Sequence, residues 1–187
     1  MKTVTTYGPR TRRKRFYHAT WIVPKSRIDG NYVIPSHFLG KILRVKTGKN
    51  RKEESFFVVE MVVLHDCEPD KYERGLFGHA VGEEVSHMMM AKHESFLSNV
   101  KGFISNVLDM PDDDIGEEEA VAVCADDQPL AGSIIEVAAR NTKTRAGNDF
   151  TVVNYKGEVP KEDLLGIWEA MGEEGEVLKA RFFPDDH

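Results

Sequence analysis

Between residues 38 and 65 the chain first alternates and then turns richly apolar: FLGKILRVK approaches a period of two, and after TGKNRKEE the run SFFVVEMVVLH carries branched and aromatic side chains that suit a pleated surface. This predicts a long hairpin. Residues 66–78 are polar and turn-like, whereas 79–90 (HAVGEEVSHMMM) read as a third strand with Gly82 at a bulge. The period changes over 92–108, where Phe96, Leu97, Val100, Phe103, Ile104 and Val107 recur at three and four residues and make one apolar helix face. Pro111, in the polar stretch 109–114, stops that helix, and a second short one is expected over 117–125. Residues 132–140 and 149–155 flank the polar turn NTKTRAGN and predict a second hairpin. After Pro160, the residues Leu164, Leu165, Ile167, Trp168 and Met171 predict a short amphipathic helix, followed by acidic 172–176 and the ending ARFFPDDH.

The first sixteen residues hold nothing that could build a core, and they read as a flexible arm. Phe16, Tyr17, Trp21, Ile22 and Val23, followed by Pro24, Asp29 and Gly30, predict a short strand or a strap across the domain. At 187 residues the chain is long enough for one sizeable core with appendages. The expected organisation is a basic arm 1–16, a mainly β domain 17–157 holding one or two helices, and an acidic C-terminal tail 158–187.

Charge changes the picture. Residues 1–52 hold fourteen Lys or Arg against one acid, Asp29, a local +13, while the remainder stands at -19 to give the overall -6. Such asymmetry points to nucleic-acid or membrane contact at one end. No stretch approaches the ~18 apolar residues of a membrane span, and MKTVTTYGPRTRRKR lacks a signal peptide's apolar run. Two cysteines, Cys67 and Cys124, make no disulfide framework. A cytoplasmic protein is expected.

Three strands, a helix and two strands follow the order of the five-stranded Greek-key barrel known as the OB-fold, one candidate among mixed folds. The chain also resembles phage-encoded single-stranded DNA-binding proteins of that fold. The resemblance rests on the basic turn between KILRVK and FFVVEMVVL, the strand GEEVSHMMM running into the helix, and the closing hairpin GSIIEVAARNTKTRAGNDFTVVNY, covering residues 38–156. It implies a protein that coats unwound strands in replication or recombination, in a host cytoplasm, without a cofactor or metal. It also implies an acidic tail that recruits replication proteins, although this chain closes on His187.

In that barrel, oligonucleotides cross the second and third strands between the loop joining strands one and two and the loop joining strands four and five. Here those loops are 47–54, with Lys49, Arg51 and Lys52, and 141–148, with Lys143 and Arg145. Alternation sorts their neighbours. With Leu43 and Val45 inward, Arg44 and Lys46 face out; with Phe57, Val59, Met61 and Val63 inward, Phe56 and Val58 take the other face, and Phe56 becomes the first stacking candidate. Arg140 is placed outward with Glu136. Tyr155, beside Lys156, is either a second platform or a buried structural tyrosine. Arg10, Arg12, Arg13, Lys14 and Arg15 could add phosphate contacts and a steep salt dependence, or be a free end or a subunit contact. DNA and RNA are both open as partners, because backbone charge and stacking serve either, and a homo-oligomer is open too.

Two other classes compete. Asp109, Asp112, Asp113, Asp114, Glu117, Glu118 and Glu119 could be metal ligands of a nuclease, but consecutive acids in one loop cannot all converge, and a solvated loop explains them better. His65, Cys67, His79, His87 and His93 show no zinc register beyond His65-x-Cys67. No serine sits in a G-x-S-x-G elbow and no Gly-rich phosphate loop is present, so a non-enzyme is expected. The remaining alternative is a virion or regulatory interaction module docking through the Trp168 helix.

Overall fold

A computed structural model describes residues 31–71, 78–143 and 147–184. The expected arm 1–16, the aromatic segment 16–23, Arg145 and the ending 185–187 lie outside the described residues. The strands are β1 (Asn31–Tyr32), β2 (Ser36–Lys49), β3 (Ser55–Asp66), β4 (Glu84–Met90), β5 (Ile134–Lys143) and β6 (Asp149–Glu158). The helices are α1 (Phe96–Leu108), α2 (Glu117–Ala122), α3 (Lys161–Ala170) and α4 (Glu173–Phe182). The strands form one mixed sheet in the order β1-β4-β3-β2-β5-β6, curled into a half-barrel. Only the two-residue β1 runs parallel to its neighbour; every other pair is antiparallel.

β2 organises the sheet because it is paired on both sides. It runs beside β3 from Phe38 to Lys49, and its first six residues, 36–41, also pair with β5. Between Ile42 and Arg44 the register with β3 shifts, leaving Leu43 as an extra residue. Leu43 was expected to face inward with Val45; the bulge instead turns it out, 37% exposed, while Ile42 and Val45 are buried. β5 has ended its pairing by this point. Ser133 accepts from Ile42 N, Ile42 accepts from Gly132 N, and the Gln128 side-chain carbonyl takes the Val45 N–H at 2.7 Å.

The concave face holds the larger core. Phe57, Val59, Met61 and Val63 all point into it as alternation predicts, joined by Ile42, Val45, Val85, Met89, Ile135 and Val137. α1 closes this core with Val100, Phe103, Ile104 and Val107, four positions of the stripe that predicted it. Each such side chain contributes roughly 1.5–3 kcal/mol when fully buried.

The third strand begins later than its sequence suggests, because residues 80–83 make a turn in which Glu83 N bonds Ala80 O. Gly82 (φ +83°) belongs to this turn rather than to a bulge. His79, also expected in the strand, is buried: its Nε2 accepts from Ile34 N at 3.0 Å, so Nδ1 carries the proton and lies 3.3 Å from a Glu83 carboxylate oxygen.

On the convex face, Leu39, Val62, Leu64 and Ile134 are covered by Leu164 and Trp168 of α3 and Leu178 of α4, with Phe182 and Phe183 packed alongside. The one short helix expected here is α3, and α4 follows it through Gly172 (φ +66°). Trp168 is 1% exposed, with the rings of Phe182 and Phe183 at 6.1 and 5.7 Å. α4 approaches α3 closely at Gly175, where a Cβ would overlap the Trp168 carbonyl.

No ladder joins β4 to β6, the two strands that face each other across the open side of the half-barrel. A side-chain bridge spans them: His87 Nδ1 lies 2.8 Å from the Tyr155 hydroxyl, and the Tyr155 ring meets Phe103 edge-on at 4.8 Å. Burial lowers the His87 pKa to about 4 and pushes the Tyr155 hydroxyl well above its ordinary value. Both groups are therefore neutral near pH 7.

Two outcomes test this packing. Gly175→Ala, which in an open helix would gain up to ~1 kcal/mol, is expected instead to cost about 1–3 kcal/mol in a urea titration, because the α3–α4 contact has no room for a methyl group. For His87, the folded pKa lies below the unfolded one, so the unfolded chain binds the proton first as pH falls. Stability relative to His87→Gln should be constant above pH 6.5 and decline by on the order of 1–3 kcal/mol between pH 6.5 and 4. Parallel denaturation curves for the two proteins across that window would remove the bridge from the account.

Candidate nucleic-acid interface

The α3–α4 pair covers only one half of the convex face, and the half nearer the β2–β3 tip carries the expected basic and aromatic residues. Register fixes which side chains share it. Opposite Gly48 stands Phe56, opposite Lys46 stands Val58, and opposite Arg44 stands Glu60. The same β3 residues face Met90, Met88 and Ser86 of β4. Tyr32 of β1 pairs with Ser86 and extends the row by one strand.

Phe56, Met88, Met90 and Tyr32 are each half-buried, while Val58 beneath them is closed off from solvent. The Phe56 ring lies over Gly48, where a Cβ would come within 3.0 Å of it. Glycine there lets the aromatic lie flat across β2. The result is a low apolar platform of an aromatic ring and two thioethers spanning three strands.

Cations border it on the β2 side. Arg44 is exposed, and Lys46 is paired with Glu60, which leaves that carboxylate neutralised on the platform. The tip beyond is built rather than loose. Asn50 accepts from both Lys52 N (2.8 Å) and Glu54 N (3.1 Å) through its side-chain oxygen, its amide donates to the Glu54 carboxylate (2.7 Å), and Glu53 takes a left-handed φ of 61°. Lys49, opposite Ser55, falls on the other face and lies 3.4 Å from Glu53, while Arg51 and Lys52 stand exposed in the turn that joins β2 to β3.

The second expected loop is not part of that set. β5 runs antiparallel to β2, so Ala139 lies beside Ser36 at the start of β2, and Arg140 and Lys143 extend beyond it, at the opposite end of the sheet from Lys49. Arg140 does face outward with Glu136, as expected, and Glu136 is held by His37 at 2.7 Å. Lys143 falls on the other face, opposite Asp149. Of the two readings of Tyr155, its 7% exposure and its bond to His87 support the structural one.

Met88, Met90 and Tyr32 were not among the residues singled out by sequence. Of the triplet MMM only Met89 is core; its neighbours alternate outward. Tyr32 sits on a strand of two residues, too short for any periodic signal.

Elsewhere, burial pushes the Cys124 thiol up to about 11, which keeps it protonated and unreactive at neutral pH. Burial also lowers His65. Among the described residues, no three His, Cys, Asp or Glu side chains come together in a way that could hold a metal ion, and Asp112, Asp113, Asp114, Glu117 and Glu118 stand exposed along two short helical turns. No helix of the described residues is long and apolar enough to cross a membrane. Compared with known proteins, the chain matches no protein-family model and no curated protein.

Proposed function

We propose that this protein binds single-stranded nucleic acid, single-stranded DNA foremost, without sequence preference, across the convex face of β2, β3 and β4. It acts as a binding protein rather than an enzyme. The observation that carries the reading is that Phe56, Met88 and Met90 share one face of neighbouring strands with Arg44 and Lys46, beside the hydrogen-bonded turn that exposes Arg51 and Lys52. A strand of nucleic acid needs that combination: flat apolar surface for base faces and cations along one border for phosphates. Double-stranded DNA hides its base faces and would use only the charge.

Strand order supports an OB-type barrel. The neighbours β4-β3-β2-β5-β6 are what remains when a closed five-stranded Greek-key barrel is opened between its third and fifth strands, and the His87–Tyr155 bridge spans that gap. In this reading the platform lies on the second and third barrel strands, the usual oligonucleotide face. Together with the resemblance to phage single-stranded DNA-binding proteins, it supports our reading of the chain as one that protects or presents strands in phage replication or recombination, in the host cytoplasm. The acidic C-terminal segment is the part we assign to contact with replication proteins.

Fluorescence titration of labelled poly-dT at 50 and 200 mM salt tests the proposal. Binding should weaken as salt rises, since each phosphate neutralised on a single strand contributes about -0.7 to the log–log slope. Replacing Lys49, Arg51 and Lys52 together by Ala should weaken binding and flatten the slope by roughly 1 to 2, Lys49 counting least because Glu53 already attends it. Phe56→Ala should cost about 1–3 kcal/mol and leave the slope unchanged. A wild-type protein that fails to bind at 50 mM salt overturns the reading.

A further inference from the structure

Two residues of ladder join β1 to β4, and the segment 31–34 takes further bonds from a pair of side chains in the turn before β4. Ile34 N donates to His79 Nε2 at 3.0 Å, and the Asn31 side-chain amide donates to Glu83 Oε1 at 2.8 Å. The pair is itself joined: His79 Nδ1 lies 3.3 Å from Glu83 Oε2, which also accepts from Ala80 N at 2.9 Å. Both ends of the segment therefore close on one imidazole and one carboxylate. Between those ends Val33 N donates to Ser86 O at 3.0 Å, and the Val33 side chain is buried in the concave core, so Tyr32 faces the convex side.

We propose that His79 and Glu83 are positioning residues that hold Tyr32 as a second stacking ring of the platform, and that they do so only while His79 Nε2 carries no proton. The inference rests on the function proposed above. Tyr32 is half-buried beside Ser86. Phe56 stands opposite Met90, which lies on the order of 13 Å along β4 from Ser86, so the two rings serve different bases.

The dependence on a proton follows from the bond at Nε2. A neutral imidazole offers one acceptor nitrogen, and Ile34 uses it. A second proton turns Nε2 into a donor, and two N–H groups then oppose each other where a hydrogen bond stood. The charged side chains on the described elements around the ring are Glu83 in the turn, Asp66 of β3, opposite Phe38, and Arg181 of α4, whose guanidinium lies over Gly82. Glu83 meets the Nδ1 side of the ring and so does not relieve the opposition at Nε2. The ring is 1% exposed and lies edge-on to Phe38 at 5.6 Å, whereas β1 is the outermost strand of the sheet. The segment is thus the part that yields, and Tyr32 leaves with it.

Imidazole changes charge between about pH 5 and 8, and His87, lowered to about 4 by burial, stays neutral through that window. Poly-dT titrations of the full chain at about pH 8 and about pH 5.5 therefore read the contact. The reference is His79→Gln, whose amide oxygen accepts from Ile34 N and gains no proton. Relative to it, the wild type should bind equally at the higher pH and about fivefold more weakly at the lower, the smaller value for one stacked base. Tyr32→Ala should bind about fivefold more weakly than wild type at the higher pH and show no such pH-dependent loss, while Tyr32→Phe should behave as wild type. In the wild type without DNA, the Ile34 amide should lose its protection from hydrogen exchange at the lower pH while Val59, buried in β3, keeps its own. Constant Ile34 protection, or one affinity ratio to His79→Gln at both pH values, overturns the latch. Tyr32→Ala binding as tightly as wild type at the higher pH overturns the ring. Failure of the wild type to bind poly-dT at the higher pH removes the parent reading instead.

Discussion

Everything in this fold depends on β2 having two neighbours for half its length and one for the other half. Over 36–41 it sits between β3 and β5 as an interior strand; after the bulge at Leu43 only β3 accompanies it. Interior sheet must be covered on both faces, and here it is, by α1 below and by α3 with α4 above. The remainder of β2 curls away as one arm of a hairpin, with its concave side in the core and its convex side left open by the described residues. The candidate site is this half. No special loop creates it; it is what the sheet leaves over once the convex core has been closed.

That arrangement also explains the chemistry of the bare half. An uncovered sheet face made of Leu and Val would invite aggregation. Here the outward positions are shared among a ring flattened over Gly48, two flexible thioethers, a neutralised Lys46–Glu60 pair and free cations at the tip. Each outward residue keeps the surface hydrated while leaving flat area that a planar partner can use. The concave side does the opposite: His87 and Tyr155 are neutral and bonded to each other, so the gap between β4 and β6 is bridged without leaving a charge in the core.

The strands and α1 were legible because their periods are set by burial on one face, and burial is what a one-dimensional pattern records. SFFVVEMVVLH gave its inward residues correctly. Legibility failed where the deciding partner is distant in sequence. Leu43 bulges because β3 offers one residue where β2 offers two, and nothing within FLGKILRVK encodes that count. His79 left its strand to accept a hydrogen bond from Ile34, forty-five residues away. α4 has few apolar residues of its own and is held by Gly175 against the Trp168 backbone, a contact visible only in three dimensions. The basic tip 47–54 was found because charge needs no register, whereas Met88 and Met90 needed a cross-strand partner to show which way they face.

The composition of the platform bears on what kind of recognition it supports. Reading a base requires donors and acceptors held at fixed positions toward its edge, typically Asn, Gln, Arg or Glu in bidentate geometry. Along the row Gly48, Phe56, Met90 and the row Lys46, Val58, Met88 there is no such group, and Glu60, the one carboxylate on β3's outer face, is engaged by Lys46. Base faces present much the same polarisable surface whatever their identity, and thioethers adapt to it by rotating. A surface of this make-up discriminates poorly among bases and well between stacked and exposed ones. In the proposed reading, these two rows would stack bases rather than read their edges, and the cations beside them, Arg44 and Lys46, would face phosphates.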